Sequence, residues 1–235
     1  FELAELITAN SFGVKLFFCN SGAEANEAAI NLARIHSPEG RYKIISLSGS
    51  FHGRTLATVA ATGQAKFHQG FEPIPEGFLH APFGDLESLE KMVDESTCAI
   101  LCEPLQGEGG VRPLTDEYLQ GISELCDKHG LLLIFDEIQT GMGRTGTLFA
   151  CEQLAVKPDI LTMAKALGNG LPIGAMMTSS EIGASFVPGT HASTFGGNPV
   201  AAAAAVATLK VMLADGFMTE VMEKGEYFKA ELTKL

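Results

Sequence analysis

The sequence is short of positive charge. Sixteen lysines and arginines stand against 28 aspartates and glutamates, for a net charge of −12. No basic patch offsets that balance, which argues against non-specific nucleic-acid binding. A small anionic ligand needs only one or two placed cations and stays open. No apolar run reaches the roughly 18–20 residues that a bilayer crossing requires, and no signal-peptide pattern occurs. No CxxC pair exists among Cys19, Cys98, Cys102, Cys126 and Cys151. An odd number of cysteines set mostly in apolar runs reads as buried, reduced thiols. Cys98 and Cys102 fall on one face of a strand but lack a nearby pair of histidines, so they do not spell a zinc site. Internal repeats and linkers are also missing.

What is present is an alternation. With 46% hydrophobic and 19% charged residues, the chain can bury one sizeable core. Its 26 glycines sit in short clusters between apolar runs, as tight loops on an α/β scaffold do. Strands are expected at 15–19 (KLFFC), 42–47 (YKIISL), GFLHAPF, 98–104 (CAILCEP), LLLIFDE, DILTM and IGAMMTS. Helices are expected at 23–36, in a short piece within 54–62, and in DLESLEKMVDE capped by Asp85. Two more follow, TDEYLQGISELCDKHG between Thr115 and Gly130, and a long one with Asn198 as N-cap and Pro199 at N1. FELAELITAN reads as the end of a helix, and EVMEKGEYFKAELTKL as a helix without a terminator, so the chain reads as a piece of a longer one. Strands alternating with helices imply a mainly parallel sheet covered on both faces, with ligands at the carboxyl ends of the strands.

The polar residues that follow the apolar runs are therefore the candidates for chemistry. In CNSGAEANEAAI, a strand, a Ser-Gly turn and a helix start in succession, which leaves backbone N–H groups free to take an anion. Taken alone, an ordinary strand–helix turn explains the same pattern.

FDEIQ carries two readings. An apolar strand ending in Asp-Glu matches the metal-holding strand of P-loop ATPases, but that reading needs GxxxxGK[ST] earlier in the chain, and no Gly-Lys is followed by Ser or Thr. The other reading sets Asp136 against a protonated pyridine nitrogen. Pyridoxal phosphate chemistry then needs a Schiff-base lysine. Lys165, in DILTMAKALGNGLPIGAMM, has apolar and glycine neighbours that suggest a partly buried amine.

The segments NSGAEANEAAI, FHGRT, EPLQGEGGV, FDEIQTGMGRTG, AKALGNGLPIGA and STFGGNP occur in the order found in class III (subgroup II) aminotransferases. The chain resembles that family from about residue 15 to about residue 210, most closely its acetylornithine-type members. The resemblance implies the large domain of a fold-type I pyridoxal-phosphate transferase, a mainly parallel, seven-stranded-type α/β sheet with one antiparallel strand. Residues 1–235 would be that domain in part, with the N-terminal segment and C-terminal small domain absent. It further implies that Ser21, Gly22 and Ala23 cradle the cofactor phosphate, with N–H groups from the last two. Phe51 would stack on the ring, Asp136 would pair with its nitrogen, and Gln139 would reach its phenolic oxygen. Lys165 would anchor the cofactor, and Thr194 would complete the phosphate site of a partner subunit in a homodimer. Arg54, Glu103, Glu108 and Ser193 would face substrate. Arg54 would bind a carboxylate, and Glu108 would mask an arginine of the C-terminal domain. His52 reads as a packed loop residue without chemistry, and Arg144 has no assigned role.

The activity so implied is transfer of the terminal amino group of N2-acetylornithine to 2-oxoglutarate, in a cytoplasmic enzyme of arginine biosynthesis, without a metal, nucleic acid or membrane. Succinylornithine, ornithine and 4-aminobutyrate aminotransferases are alternatives, as is an inactive fragment that binds only cofactor.

Overall fold

In the computed structural model, which describes residues 1–235, nine strands and eight α-helices follow one another along the chain. The strands are β1 (Lys15–Cys19), β2 (Lys43–Leu47), β3 (Phe78–Ala81), β4 (Thr97–Cys102), β5 (Leu105–Gln106), β6 (Arg112–Pro113), β7 (Leu132–Asp136), β8 (Ile160–Met163) and β9 (Gly174–Thr178). The helices are α1 (Glu2–Ala9), α2 (Gly22–His36), α3 (Leu56–Ala61), α4 (Leu86–Met92), α5 (Asp116–His129), α6 (Ser180–Gly183), α7 (Pro199–Met212) and α8 (Phe217–Leu232). Seven strands form one sheet in the order β1-β9-β8-β7-β4-β2-β3, and β5 and β6 form a separate small hairpin. β9 pairs antiparallel with both neighbours while the other pairings in the large sheet are parallel. One strand thus runs against six, as the family resemblance implied. The hairpin and α6 had no signal that the sequence reading used. The hairpin has only two residues per strand, too few to show a period.

Alternation along the strands builds two cores. Leu133 and Phe135 of β7 and Leu161 and Met163 of β8 pack on one face, with α1, α4, α5 and α7. Ile134 and Ile160 point to the other face, where α2 lies. α2 approaches closely because its packing stripe is small: Ala25, Ala28, Ala29 and Ala33 are wholly buried. Ser21 caps this helix by accepting the Glu24 N–H at 3.2 Å. α5 is capped by Thr115 and closed by Gly130 in the left-handed conformation (φ 60°). Asn198 caps α7, with Pro199 following.

One expectation fails in β4. Cys98 and Cys102, four apart, were to share a face. Cys102 packs with Ile100 in the first core, whereas Cys98 packs with Ala99 and Leu101 in the second. A bulge is the reason: Lys43 is paired with Thr97 and Ile44 with Ala99, so Cys98 is the extra residue, and the alternation slips by one at that point.

All five thiols are free and buried. Burial pushes Cys19 and Cys98 up to about 12 and raises Cys102, Cys126 and Cys151 as well. The native chain is expected to leave Ellman's reagent unreacted over minutes at pH 8, and all five cysteines to react once denaturant unfolds it. A thiol that titrates rapidly in the native state would contradict this burial.

Candidate active site

Because six strands of the large sheet run the same way, their carboxyl ends open on one edge, and the candidate residues follow those ends. Ser21 comes after β1, Phe51 after β2, Glu103 after β4, Asp136 closes β7, and Lys165 comes two residues after β8. Together they line a cleft of about 1190 Å³, which also includes Arg54, Glu108, Gln139 and Arg144.

Asp136 is 3% exposed, and its position follows from the pleat. It alternates in phase with Ile134, so its side chain turns toward α2. It is paired across the sheet with Thr162 of β8. Asn26, fully buried on the alanine stripe of α2, joins the two: its Nδ2 donates to Asp136 Oδ2 at 2.8 Å, and its Oδ1 accepts from Thr162 Oγ1 at 2.8 Å. His52 Nδ1 donates to the same Oδ2 at 2.8 Å, and the Ile138 N–H donates to Oδ1 at 3.1 Å. A carboxylate only accepts, so Nδ1 carries the proton; Nε2 of the same ring is buried without a partner. Asn26 Nδ2 also donates to the His52 carbonyl at 2.8 Å, which ties the loop after β2 to α2. His52, expected to pack without chemistry, is therefore a direct neighbour of the central carboxylate. Nothing in its local sequence shows this, because the contact spans 84 residues. Asn26 had a signal that went unused: a lone amide in phase with Ala29 and Ala33 on a buried helix face.

Lys165 departs from expectation. Its neighbours Ala164 and Leu167 are buried, but Lys165 itself is exposed, opening into the cleft rather than being partly buried. The backbone is the reason: Lys165 takes φ 43° at the start of a 3₁₀ turn after β8, which turns the side chain out of the core. Its Nζ donates to Gln139 Oε1 across the cleft.

At the start of α2, Glu24 N–H is used by the cap, while those of Gly22 and Ala23 have no acceptor. At Gly22 a Cβ would lie 2.7 Å from Ile138 Cδ1, so a larger residue would have to displace that side chain. Gly53 is required: it has φ 142°, and a Cβ would meet Thr58 Oγ1 at 2.5 Å and Ala23 Cβ at 2.8 Å. That contact seats the Phe51–Arg54 loop on the helix start. Phe51 packs edge-on against Phe67 with centroids 5.5 Å apart. The exposed Arg54 guanidinium lies 4.2 Å from the Phe67 centroid and 5.4 Å from that of Phe51.

Glu103 lines the cleft but is not a free carboxylate awaiting substrate. It is 5% exposed, its Oε2 accepts the Phe51 N–H at 3.1 Å, and its Oε1 accepts the Gly107 N–H at 3.3 Å. It braces the Phe51 loop to the loop carrying Glu108. Burial pushes its carboxyl up to about 7; His52 pulls it back and Asp136 adds to the rise. Glu108 is exposed, accepts from Gln64 Nε2 at 2.5 Å, and faces Lys66 Nζ at 3.5 Å. Glu137, the second acid of FDEIQ, is wholly buried and accepts from Ala150 N–H at 2.6 Å, Cys151 N–H at 2.8 Å and Thr140 Oγ1 at 3.1 Å. It folds the glycine-rich loop back on itself and takes no part in the cleft.

Ser193 and Thr194 are not in this cleft. They border a neighbouring depression of about 310 Å³, where Ser193 Oγ accepts from Asn20 Nδ2 at 3.1 Å and Thr194 is exposed. Asn20 lines both hollows.

A mostly parallel α/β sheet with an amine, a fixed carboxylate and an anion-ready helix start on one edge defines an α/β protein built for a phosphorylated ligand. The aminotransferase class-III model matches residues 1–235, and the chain belongs to that family. It is 56% identical to an acetylornithine aminotransferase of Myxococcus xanthus, over all of this chain and 59% of that protein. It is 49% identical to a succinylornithine transaminase of Photorhabdus laumondii, again over the whole chain and 59% of the relative. A solved ornithine aminotransferase from Toxoplasma gondii, with PLP partly occupying its active site, superposes with a TM-score of 0.93 at 34% identity, covering 99% of this chain and 57% of that one. The chain thus spans about three-fifths of the length of the curated relatives it matches.

The buried Glu103 carboxyl makes a pH prediction. Its pKa is raised on folding, so the stability it contributes is full below the unfolded value near 4.5 and is lost as pH rises through about 7. Relative to Glu103→Gln, whose site does not titrate, the parent melting temperature is expected to fall by roughly 5–10 °C between pH 5 and pH 8. Parallel melting profiles for the two proteins would contradict the shift.

Proposed function

We propose that residues 1–235 are the pyridoxal-phosphate-binding large domain, in part, of an aminotransferase that moves the terminal amino group of N2-acetylornithine to 2-oxoglutarate. The observation that carries this is the convergence on one cleft of the Lys165 amine, the three-donor Asp136 carboxylate and the unpaired N–H groups of Gly22 and Ala23. Those groups fit the cofactor's aldehyde, ring nitrogen and phosphate in turn. The Myxococcus xanthus relative supports acetylornithine as donor; the succinylornithine transaminase keeps the succinyl analogue as the second reading.

When bound, pyridoxal phosphate supplies a protonated ring that draws electrons away from the substrate carbon. Lys165 would hold the cofactor through its amine, and the same amine would serve as the base that takes the proton from the donor's terminal carbon. Gln139, three residues beyond the end of β7, accepts from the Lys165 amine and steers it. Asp136 keeps a proton on the ring nitrogen, and Asn26 and His52 keep Asp136 from turning away. Ser21 shapes the helix start whose Gly22 and Ala23 N–H groups take the phosphate. Phe51 would cover one face of the ring, Arg54 would take a substrate carboxylate through its fork, and Glu108 would govern charge at the mouth.

The functional unit in this reading is a homodimer in the cytoplasm. The exposed Thr194, next to Phe195 at 72% exposure, supports a role for that loop in a partner's phosphate site, with Ser193 beside it. No single helix is long and apolar enough to cross a membrane.

The test is direct. Pyridoxal phosphate added to the protein is expected to give a visible band, and borohydride followed by peptide mass spectrometry to find the adduct on Lys165. Lys165→Ala should give neither, and a parent-like band in that variant ends the assignment. Asp136→Asn is expected to lower turnover roughly 100-fold or more, the order for loss of one fixed charge at a reacting centre. Unchanged turnover would remove Asp136 from the chemistry.

A further inference from the structure

Phe67 does not line the cleft, yet it touches two side chains that do. The Arg54 guanidinium carbon lies over its ring, 4.2 Å from the centroid, and the Phe51 ring meets it edge-on with centroids 5.5 Å apart. The acids that line the cleft are committed elsewhere: Asp136 to Asn26 and His52, Glu103 to the Phe51 and Gly107 N–H groups, and Glu108 to Gln64 and Lys66. Glu27 accepts from Thr55 Oγ1 at 2.5 Å. Arg54 is thus held by ring faces, not by a carboxylate. A guanidinium held over a ring keeps its N–H groups for an anion, whereas one held by a carboxylate has spent them. Lys66 Nζ also lies 4.5 Å from the Phe67 centroid, but it has a carboxylate partner in Glu108 at 3.5 Å.

Bonds on either side of Phe51 fix Phe67 relative to it. Ser50 accepts from the Gly63 N–H on its Oγ at 3.0 Å and from Gln64 Nε2 on its carbonyl at 3.1 Å. The His52 N–H donates to Thr62 Oγ1 at 3.0 Å. Phe67 then ends the short turn Ala65–Phe67, its N–H donating to the Gln64 carbonyl at 2.9 Å, and His68 Nε2 donates to the Thr62 carbonyl at 2.8 Å. The 62–68 segment is laced to the residues that flank Phe51, so the ring under Arg54 is set by the same loop that carries Arg54.

We propose that Phe67 is a positioning residue for Arg54: its ring holds the guanidinium at the cleft, beside Phe51, with the N–H fork left free for the carboxylate of the amino donor. Without the ring, Arg54 is an exposed side chain on a loop and loses rotamer freedom each time it binds. With the ring, part of that ordering is already present in the fold. The inference rests on the proposed function, in which Arg54 takes the substrate carboxylate, and it adds a residue that acts on binding and not on the proton transfer.

The probe is N-acetylnorvaline, which keeps the carboxylate and acetamido group of N2-acetylornithine but has no terminal amine and so does not react. Calorimetric titration of the protein loaded with pyridoxal phosphate reads its affinity without turnover. Trifluorophenylalanine at position 67 keeps the outline of the ring and weakens its negative face. Affinity is expected to fall about threefold with that replacement and about fivefold in Phe67→Leu, the order of an exposed cation–π contact. Phe67→Tyr, which retains the face, should bind within about twofold of the parent. Lys66→Ala should also stay within about twofold, since its pair is exposed. Arg54→Ala should bind about tenfold more weakly than the parent, and on that background no change at Phe67 should lower affinity further, which separates positioning from loss of structure. Parent-like affinity in both the trifluorophenylalanine and Phe67→Leu proteins overturns the proposal. So does a Phe67→Tyr protein as weak as Phe67→Leu, an equal loss on the Arg54→Ala background, or an Arg54→Ala protein that binds like the parent. Failure of the aminotransferase reading shows separately, as absence of the Lys165-dependent band in the parent.

Discussion

The structure depends on one carboxylate held in place inside the protein. Asp136 is buried at the end of a central strand, where an ionised group is costly unless donors surround it. Asn26, His52 and the Ile138 N–H provide them, and each belongs to a different part of the chain. Asn26 brings α2 against β7 and β8, and His52 brings the loop after β2 over the same point. The helix start that offers Gly22 and Ala23, and the loop that presents Phe51 and Arg54, are thereby fixed relative to Asp136. Neither loop could take this place if the carboxylate faced the other side of the sheet.

Around that point the polar residues divide into those that act and those that hold. Glu103 and Glu137 are as acidic as Asp136 in sequence, and both spend their oxygens on backbone N–H groups. One couples two rim loops, and the other folds the glycine-rich loop. Lys165, Arg54, Glu108 and Arg144 are exposed to the cleft.

The strands and the long helices were legible because their signals are local. β1 runs over Lys15–Cys19 as the apolar run indicates, and Thr115, Gly130, Asn198 and Pro199 mark helix ends by their own chemistry. The candidate site was legible as motifs following strand ends, and the cleft gathers most of them. Ser193 and Thr194 lie apart, in the segment between α6 and α7. The bulge at Cys98 was hidden. A one-residue slip appears only in the pairing with a neighbouring strand.

The sequence by itself determined the class of fold and marked Lys165 and Asp136 as the candidate amine and carboxylate, since period, caps and motif order are written in adjacent residues. Tertiary structure decided what those residues can do. It took Lys165 out of the core through a left-handed backbone turn, made Glu103 a brace, gave His52 a partner 84 residues away and docked Glu108 on Gln64. Hydrogen bonds between distant residues depend on how the sheet is ordered and which face each strand presents, and no stretch of sequence carries that information alone.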